Sequence, residues 1–323
     1  SGAIINPVAF HQLFPNLKVE EFPFCGPVKE EEVLFLTKKK AIRIPPPTSM
    51  KNHGNFVASL CEVTKWLAKK TEELGVNIVT GFPVKGLLVE NGQVIGVRTA
   101  DSGRNREGKT LENYQPSTDI VAKVVVLGEG SRGLLTQAYL KWQNIKSTNP
   151  QIYAQGVKEI WQTKTPLKAV VHTMGWPLPT DVFGGSFMYP MSENLLALGL
   201  VVGLDYDEVN LDPHYLLQEM KTHPFFKSYL EGGEMLEWGA KTIPEGGYYS
   251  LPEKLSGAGA MIIGDSAGLV DVPSLKGIQY AMTSGILAAQ TIFEALKRND
   301  FSAETLSLYD KSVRDSFIIK DLW

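Results

Sequence analysis

The apolar positions of this chain change their spacing along its length, and the changes divide it. In the middle, residues 169–174, 186–189 and 195–204 are short apolar or alternating runs that predict strands, and 215–220 follows as a helix-like segment. On either side the spacing is mixed. Phe56, Leu60, Val63, Leu67 and Leu74 recur at helical intervals after Asn55, and Gly75 closes the predicted helix. Residues 76–79 then predict a strand, and 87–89 and 94–97 flank Asn91-Gly92, the strongest hairpin signal in the chain. Residues 101–109 read as a polar loop and 124–127 as a buried strand. Earlier, Leu34-Phe35-Leu36, Lys38-Lys39-Lys40, Arg43 and Pro45-Pro46-Pro47 mix apolar, basic and proline residues, a composition expected to interrupt regular structure.

The clearest segment lies near the end. Ala260, Met261, Ile262 and Ile263 form a continuous apolar run, as in a strand buried on both faces, and Gly264 ends it. Asp265 and Ser266 then offer an acceptor and a hydroxyl, and after Ala267 the bare backbone of Gly268 admits a ligand close by. Beyond Lys276-Gly277, Ile278, Met282, Ile286, Ala289, Phe293 and Leu296 repeat at helical spacing, which points a helix N-terminus at the same place. Strand, glycine turn and helix together suit a diphosphate; an ordinary connection with glycines used only for turning fits the local pattern as well.

A second glycine group, Gly128-Glu129-Gly130-Ser131-Arg132-Gly133, spells the dinucleotide fingerprint after a predicted strand. Its context argues against nicotinamide binding. The fingerprint should open a strand–helix–strand unit ending in an acidic residue about 20 positions on, and the candidate, Glu159, follows a stretch rich in Gln, Asn, Lys and Pro. A purely structural glycine turn stays open as the local reading.

Composition narrows the class further. The 323 residues are 43% hydrophobic and 21% charged, enough for two intertwined domains, and the net charge of -3 argues against nucleic acid. Two cysteines, Cys25 and Cys61, are too few for a disulfide framework or a cysteine metal site. The five histidines show no zinc spacing, and His53 is held as a structural residue or a neighbour of a cofactor. The longest apolar run, residues 195–204, is half the roughly 20 that a spanning helix needs.

Six separated segments resemble one family in order: SGAIINPVAF from Ser1, MKNHGNFVASL from Met50, VVVLGEGSRG from Val124, HTMGWPLPTDVFGGSFMYP from His172, LALGLVVGLDY from Leu196, and EGGYYSLPEKL from Glu245 continuing into the glycine turn at Gly264. The family is that of the electron transfer flavoprotein:ubiquinone oxidoreductases. The resemblance implies an α/β fold, an FAD-binding Rossmann-like domain with an inserted antiparallel-sheet quinone domain. It implies FAD contacts at Gly264, Asp265, Ser266, Ala267, Gly268, Gly277, Ile278, Gly128, Glu129, Gly130, Pro83, Val84, Ser1 and Gly2, and no side-chain acid–base pair, because flavin and quinone carry the electrons and protons themselves. Quinone is expected at Phe183, Gly184 and Gly185, where paired glycines expose backbone between aromatic walls; a strand edge or bulge is the plainer reading.

On this resemblance residues 1–33, 50–152 and 240–323 form the FAD domain, and 34–49 and 153–239 the quinone-binding, membrane-facing domain. Electron transfer flavoprotein, ubiquinone and a membrane surface are the implied partners, with no nucleic acid. The implied location is the matrix face of the mitochondrial inner membrane, or the cytoplasmic face of a bacterial one. Residues 34–47 and 223–227, apolar side chains flanked by Lys and Arg, are the expected interfacial elements. The family's first glycine-rich strand and helix, and its iron-sulfur domain with four cysteines, have no counterpart here, so the chain is expected to be a fragment or one piece of a split enzyme. Ile278 departs from the small polar residue the family typically has after Lys-Gly, removing a hydrogen bond that would tune the flavin. The alternatives are a geranylgeranyl-reductase-like or cluster-lacking FAD enzyme of the same superfamily, and a non-catalytic binding module.

Overall fold

The computed structural model describes residues 2–323 and divides them into two compact units: residues 2–74, 151–246 and 271–279, and residues 75–150, 247–270 and 280–323.

The first unit is built on a seven-stranded sheet in the order β16 (Glu234–Pro244), β12 (Tyr153–Gln162), β15 (Leu195–Gly203), β14 (Gly184–Ser192), β13 (Val170–Gly175), β3 (Glu31–Leu36) and β4 (Ala41–Ile44). All neighbours are antiparallel except β13 and β3, which run in parallel. Alternate side chains point to opposite faces of a strand. Leu196, Leu198, Leu200 and Val202 of β15 therefore share one face, where they pack with Leu217 and Met220 of α4 (Pro213–Lys221) and Phe226 and Leu230 of α5 (Pro224–Leu230). Ala197, Val170 and Tyr189 take the other face, against Ile4 of β1 (Gly2–Ile5) and Val57 of β5 (Phe56–Ser59). With β2 (Phe24–Pro27) these strands form a three-stranded sheet in the order β1, β5, β2. The helices α1 (Val8–Leu13) and α2 (Leu60–Glu73) meet it through an aromatic cluster of Phe10, Phe14, Phe22, Phe24 and Trp66.

In the second unit, β6 (Val84–Glu90) and β7 (Gln93–Thr99) form the hairpin, joined by β10 (Asp119–Val121). Asn91 and Gly92 turn it with φ of 50° and 80°, the left-handed pair a two-residue loop requires. β11 (Val125–Leu127) runs parallel to β18 (Ala260–Ile262), which also pairs β17 (Ser256–Gly257). Around them stand α3 (Leu134–Trp142), α6 (Ile278–Arg298, whose first two residues belong to the first unit), α7 (Ala303–Asp315) and α8 (Phe317–Leu322). Met261, Ile262, Ala288, Ala295, Leu306 and Tyr309 form the core.

Several expectations are corrected. Residues 56–59 are strand β5, and the helix starts only at Leu60, because Val57 and Ala58 are taken up in pairing with β1 and β2. Residues 76–80 form no strand, and Val76 and Val79 stand 53% and 64% exposed: an apolar run becomes a strand only when its amides find a partner. Residues 34–47 are regular where interruption was expected. β3 and β4 form a hairpin with Phe35 opposite Ile42, and the prolines come after it. Residues 101–109 contribute β8 (Ser102–Arg104), which pairs β9 (Thr110–Gln115). On α6 the expected apolar stripe is not the buried one: Phe293 and Leu296 are 59% and 45% exposed, while Ser284, Ala288, Thr291 and Ala295 face inward. Small side chains let the helix approach its neighbours closely.

Candidate functional site

In the second unit the two glycine turns leave the carboxyl ends of adjacent parallel strands, β11 and β18, where open α/β sheets bind ligands. Gly264–Ala267 is a single 3₁₀ turn. Gly264 enters it at φ 58° and Gly268 leaves it at φ 77°, a left-handed region that strains other residues. The turn is closed internally, Gly268 N–H donating to the Asp265 carbonyl (3.0 Å) and Leu269 N–H to that of Gly264 (3.2 Å). Ser284 of α6 accepts from Gly264 N–H (3.0 Å), and the Ser266 hydroxyl donates to the Gly130 carbonyl (3.1 Å), so the sequence-distant turns form one assembly.

The two turns differ in their room. A Cβ on Gly264 would meet Ala281 at 3.1 Å, whereas one on Gly130 (φ 74°) would meet open space. Gly130 thus presents uncovered backbone, and Gly128 packs beside Ile263. Glu129 turns the other way: its carboxylate accepts from the N–H groups of Leu135 (3.2 Å) and Thr136 (2.6 Å) and from the Thr136 hydroxyl (2.8 Å), filling the start of α3. That bonding is a sufficient structural reason for Glu129. Thr283 on α6 is 4% exposed, and its hydroxyl has no hydrogen-bond partner among the described residues. An unpaired buried hydroxyl is costly unless a ligand meets it. Open backbone at Gly130 and this orphaned hydroxyl suit a polar cofactor such as a flavin dinucleotide. Pro83 and Val84 lie at the start of β6, where the Pro83 carbonyl accepts from Ala100 N–H (2.7 Å).

In the first unit, Gly277 and Ile278 follow the turn in which Asp271 and Lys276 pair across a β-bridge. Lys276 is 9% exposed, and its ammonium donates to the Ser274 carbonyl (3.0 Å). Burial pulls it below the ordinary lysine range against the pull of the Asp271 and Glu31 carboxylates. His172, buried in β13, hydrogen-bonds the Tyr189 hydroxyl (3.0 Å). Burial and then the Lys276 charge push its pKa down to about 4, so it is neutral at physiological pH. Burial also raises the Tyr189 phenol. Gln279 is 3% exposed, and its side-chain carbonyl oxygen has no hydrogen-bond partner among the described residues. These buried polar groups were not singled out from sequence; an inward-facing His on an apolar strand was the only visible signal.

Gly184 and Gly185 open β14. A Cβ on Gly184 would lie 2.1 Å from the Val201 carbonyl oxygen, and one on Gly185 2.5 Å from that of Thr173, so close strand packing requires both glycines. Phe183 beside them is 57% exposed. The sheet register places Phe183 at the same end as the β3–β4 turn. The His223 imidazole reaches the Thr37 carbonyl there (3.1 Å), joining the two apolar-basic segments. Glu245, at the same end after β16, has its carboxyl pushed up to about 7 by burial and by Asp205. Gly2 is held by packing too, since a Cβ there would lie 2.4 Å from that of Ala197. Ser1 lies outside the described residues.

The fold is that of FAD-dependent oxidoreductases and halogenases. It superposes with a TM-score of 0.74 on a geranylgeranyl bacteriochlorophyll reductase-like protein from Thermoplasma acidophilum, at 19% identity over 97% of this chain and 72% of that one. The flavin-dependent brominase Bmp2 gives 0.63 at 17%, over 94% and 71%. Within that class the chain is similar to the electron transfer flavoprotein-ubiquinone oxidoreductases: residues 153–243 match the model ETF-QO, ubiquinone-binding. Along its whole length it is 40% identical to the probable mitochondrial enzyme of that name from Schizosaccharomyces pombe, 39% to that of Arabidopsis thaliana and 38% to that of Homo sapiens. It covers 52%, 51% and 54% of them, so the chain spans about half the length of these curated relatives.

Proposed function

We propose that the chain is the flavin- and quinone-binding portion of an enzyme that passes electrons from electron transfer flavoprotein to ubiquinone at a membrane surface. The observation that carries this is the similarity to relatives of that name over the whole chain, both glycine turns included, together with the match of residues 153–243 to the ubiquinone-binding model. FAD, when bound, supplies the two-electron redox chemistry. The chain's own part is positional. Gly264, Asp265, Ser266, Ala267 and Gly268 and the turn at Gly128 and Gly130 hold the ribityl-diphosphate with backbone, and the Thr283 hydroxyl donates to a polar group of the cofactor. Gly277 and Ile278 approach the ring, where an isoleucine offers packing without a hydrogen bond.

Phe183, with the backbone of Gly184 and Gly185, borders the quinone head group. This reading draws on the exposure of Phe183 and on its place in the ubiquinone-binding segment. Packing alone explains the glycines. The β3–β4 hairpin meets the headgroup region through Phe35, Ile42 and its lysines, as a peripheral attachment: no helix among the described residues is long and apolar enough to cross a membrane. The relatives' names place them in mitochondria, and the same address is proposed here at the inner membrane's matrix face.

Flavin retention by the purified chain tests the reading. A bound-flavin absorbance band, lost in Gly268→Val with the circular dichroism unchanged, is the expected result. FAD content undiminished by that substitution overturns the assigned cofactor site.

A further inference from the structure

A groove of about 740 Å³ lies in the first unit between α4 and the β12–β16 edge of the large sheet, on the face opposite His172. Its floor is a buried ion pair. Glu159 is 2% exposed and accepts from Lys221 with both oxygens (2.9 and 2.8 Å), from the Trp161 indole (2.6 Å) and from Gln218 (3.0 Å). Burial would raise this carboxyl, but the three donors and the Lys221 charge hold it below the ordinary range. The Lys221 ammonium also rests over the Trp161 ring, 5.1 Å from its centroid. Lys221 is therefore committed, and among the described residues no other Lys or Arg lines the groove.

The remaining lining is aromatic and acidic. Tyr206, His214 and Trp238 supply three rings; Trp238 is 69% exposed and stands 5.9 Å from His214 by ring centroids. Asp212 uses one carboxylate oxygen to cap α4, accepting from His214 and Tyr215 N–H groups (2.8 and 3.2 Å). Two carboxylates against one ammonium leave the groove negative, beside an exposed indole face. A cation held over aromatic faces near a carboxylate gains from both, and a large, weakly hydrated ammonium loses least on leaving water.

The geometry points to this groove as a binding site for a quaternary ammonium group, seated against Trp238 and Tyr206 and paired with Asp212. Both free choline and a phosphatidylcholine headgroup carry that chemistry. The groove lies within the segment that matches the ubiquinone-binding model, but none of its lining residues is among those assigned to flavin or quinone contact, so the inference stands or falls apart from those contacts.

Titration of the whole chain with choline and with its neutral isostere 3,3-dimethylbutanol, followed by ligand NMR line broadening and tryptophan emission, tests it. Asp212→Asn keeps a good helix cap while removing the charge, and Trp238→Leu changes a side chain already in solvent, so both variants are expected to fold. Millimolar choline binding is expected, weakened about tenfold by either substitution, with no response to the isostere. A parallel arm compares vesicles of phosphatidylcholine with vesicles of phosphatidylglycerol. Choline-competed binding to phosphatidylcholine that both variants lose identifies the lipid headgroup as the source and supports the site. Equal binding of the isostere, indifference to both substitutions, or no choline binding in either arm overturns it.

Discussion

The Ser266 hydroxyl donates to the Gly130 carbonyl across 3.1 Å, joining two turns separated by 136 residues of sequence. Each turn ends one of two parallel strands, so this bond fixes their separation where a diphosphate would lie. Ser266→Ala keeps the backbone and removes only the tie. Such a hydrogen bond contributes about 1 kcal/mol. The variant is expected to unfold at slightly lower denaturant and to bind FAD several-fold more weakly, as measured by equilibrium dialysis. Unchanged affinity would mean the turns are held apart by packing alone.

Glu159 and Lys221 illustrate how a buried charge depends on its partner. Lys221→Met leaves the carboxylate with only Trp161 and Gln218, and removing one member of such a pair typically costs about 3–5 kcal/mol. The double variant Glu159→Gln/Lys221→Met has no buried charge and is expected to recover much of that loss. Urea unfolding of the two variants checks this. Equal destabilisation would show that the carboxylate reaches water or takes a proton.

His172 gives the first unit a pH dependence with a definite sign. Its folded pKa of about 4 lies below the unfolded value near 6.5. Below pH 6.5 the unfolded chain takes up a proton that the folded chain refuses, so stability falls as pH drops and levels off below 4. The full difference is about 3 kcal/mol. His172→Gln retains a partner for Tyr189 but cannot titrate, and its unfolding midpoint is expected to change less between pH 7 and pH 4.5. A parallel loss in both proteins would assign the acid sensitivity to other groups.

Much of the fold was legible where the deciding chemistry is local. Asn91-Gly92 demanded left-handed φ values, and Ala260, Met261 and Ile262 of the apolar run are buried as their continuity required. Errors arose where a distant partner decides. Residues 76–79 carry strand composition but meet no strand among the described residues, and 56–59 became β5 because two other strands bind it. On α6 the largest apolar residues suggested the buried face, yet close approach favoured Ser284, Ala288 and Ala295. The glycine turns were readable as a pair of motifs, but the bond joining them was not. The polar group of Glu31, His172 and Lys276 was invisible, because it is assembled from β3, β13 and the 271–276 turn.

The β3–β4 hairpin carries the membrane prediction. Phe35 and Ile42 face each other across the strands at 44% and 49% exposure, and Lys38, Lys39 and Lys40 form the turn between them. Phe183 lies at the same end of the sheet, and His223 ties the 223–227 segment to Thr37. A quinone with a long tail resists leaving the bilayer, at about 0.8 kcal/mol for each exposed CH₂, so a quinone site beside this hairpin would have to meet the lipid surface. Basic residues near an anionic surface contribute about 1 kcal/mol each. Reversing Lys38, Lys39 and Lys40 to Glu should therefore remove at least about 3 kcal/mol, a loss of more than a hundredfold in binding to phosphatidylglycerol-containing liposomes. The effect should shrink at high salt, where exposed charges are screened, and flavin content should not change. Phe35→Ser should weaken binding at every salt concentration, since its contribution is apolar. Cosedimentation indifferent to both changes would detach the hairpin from the membrane.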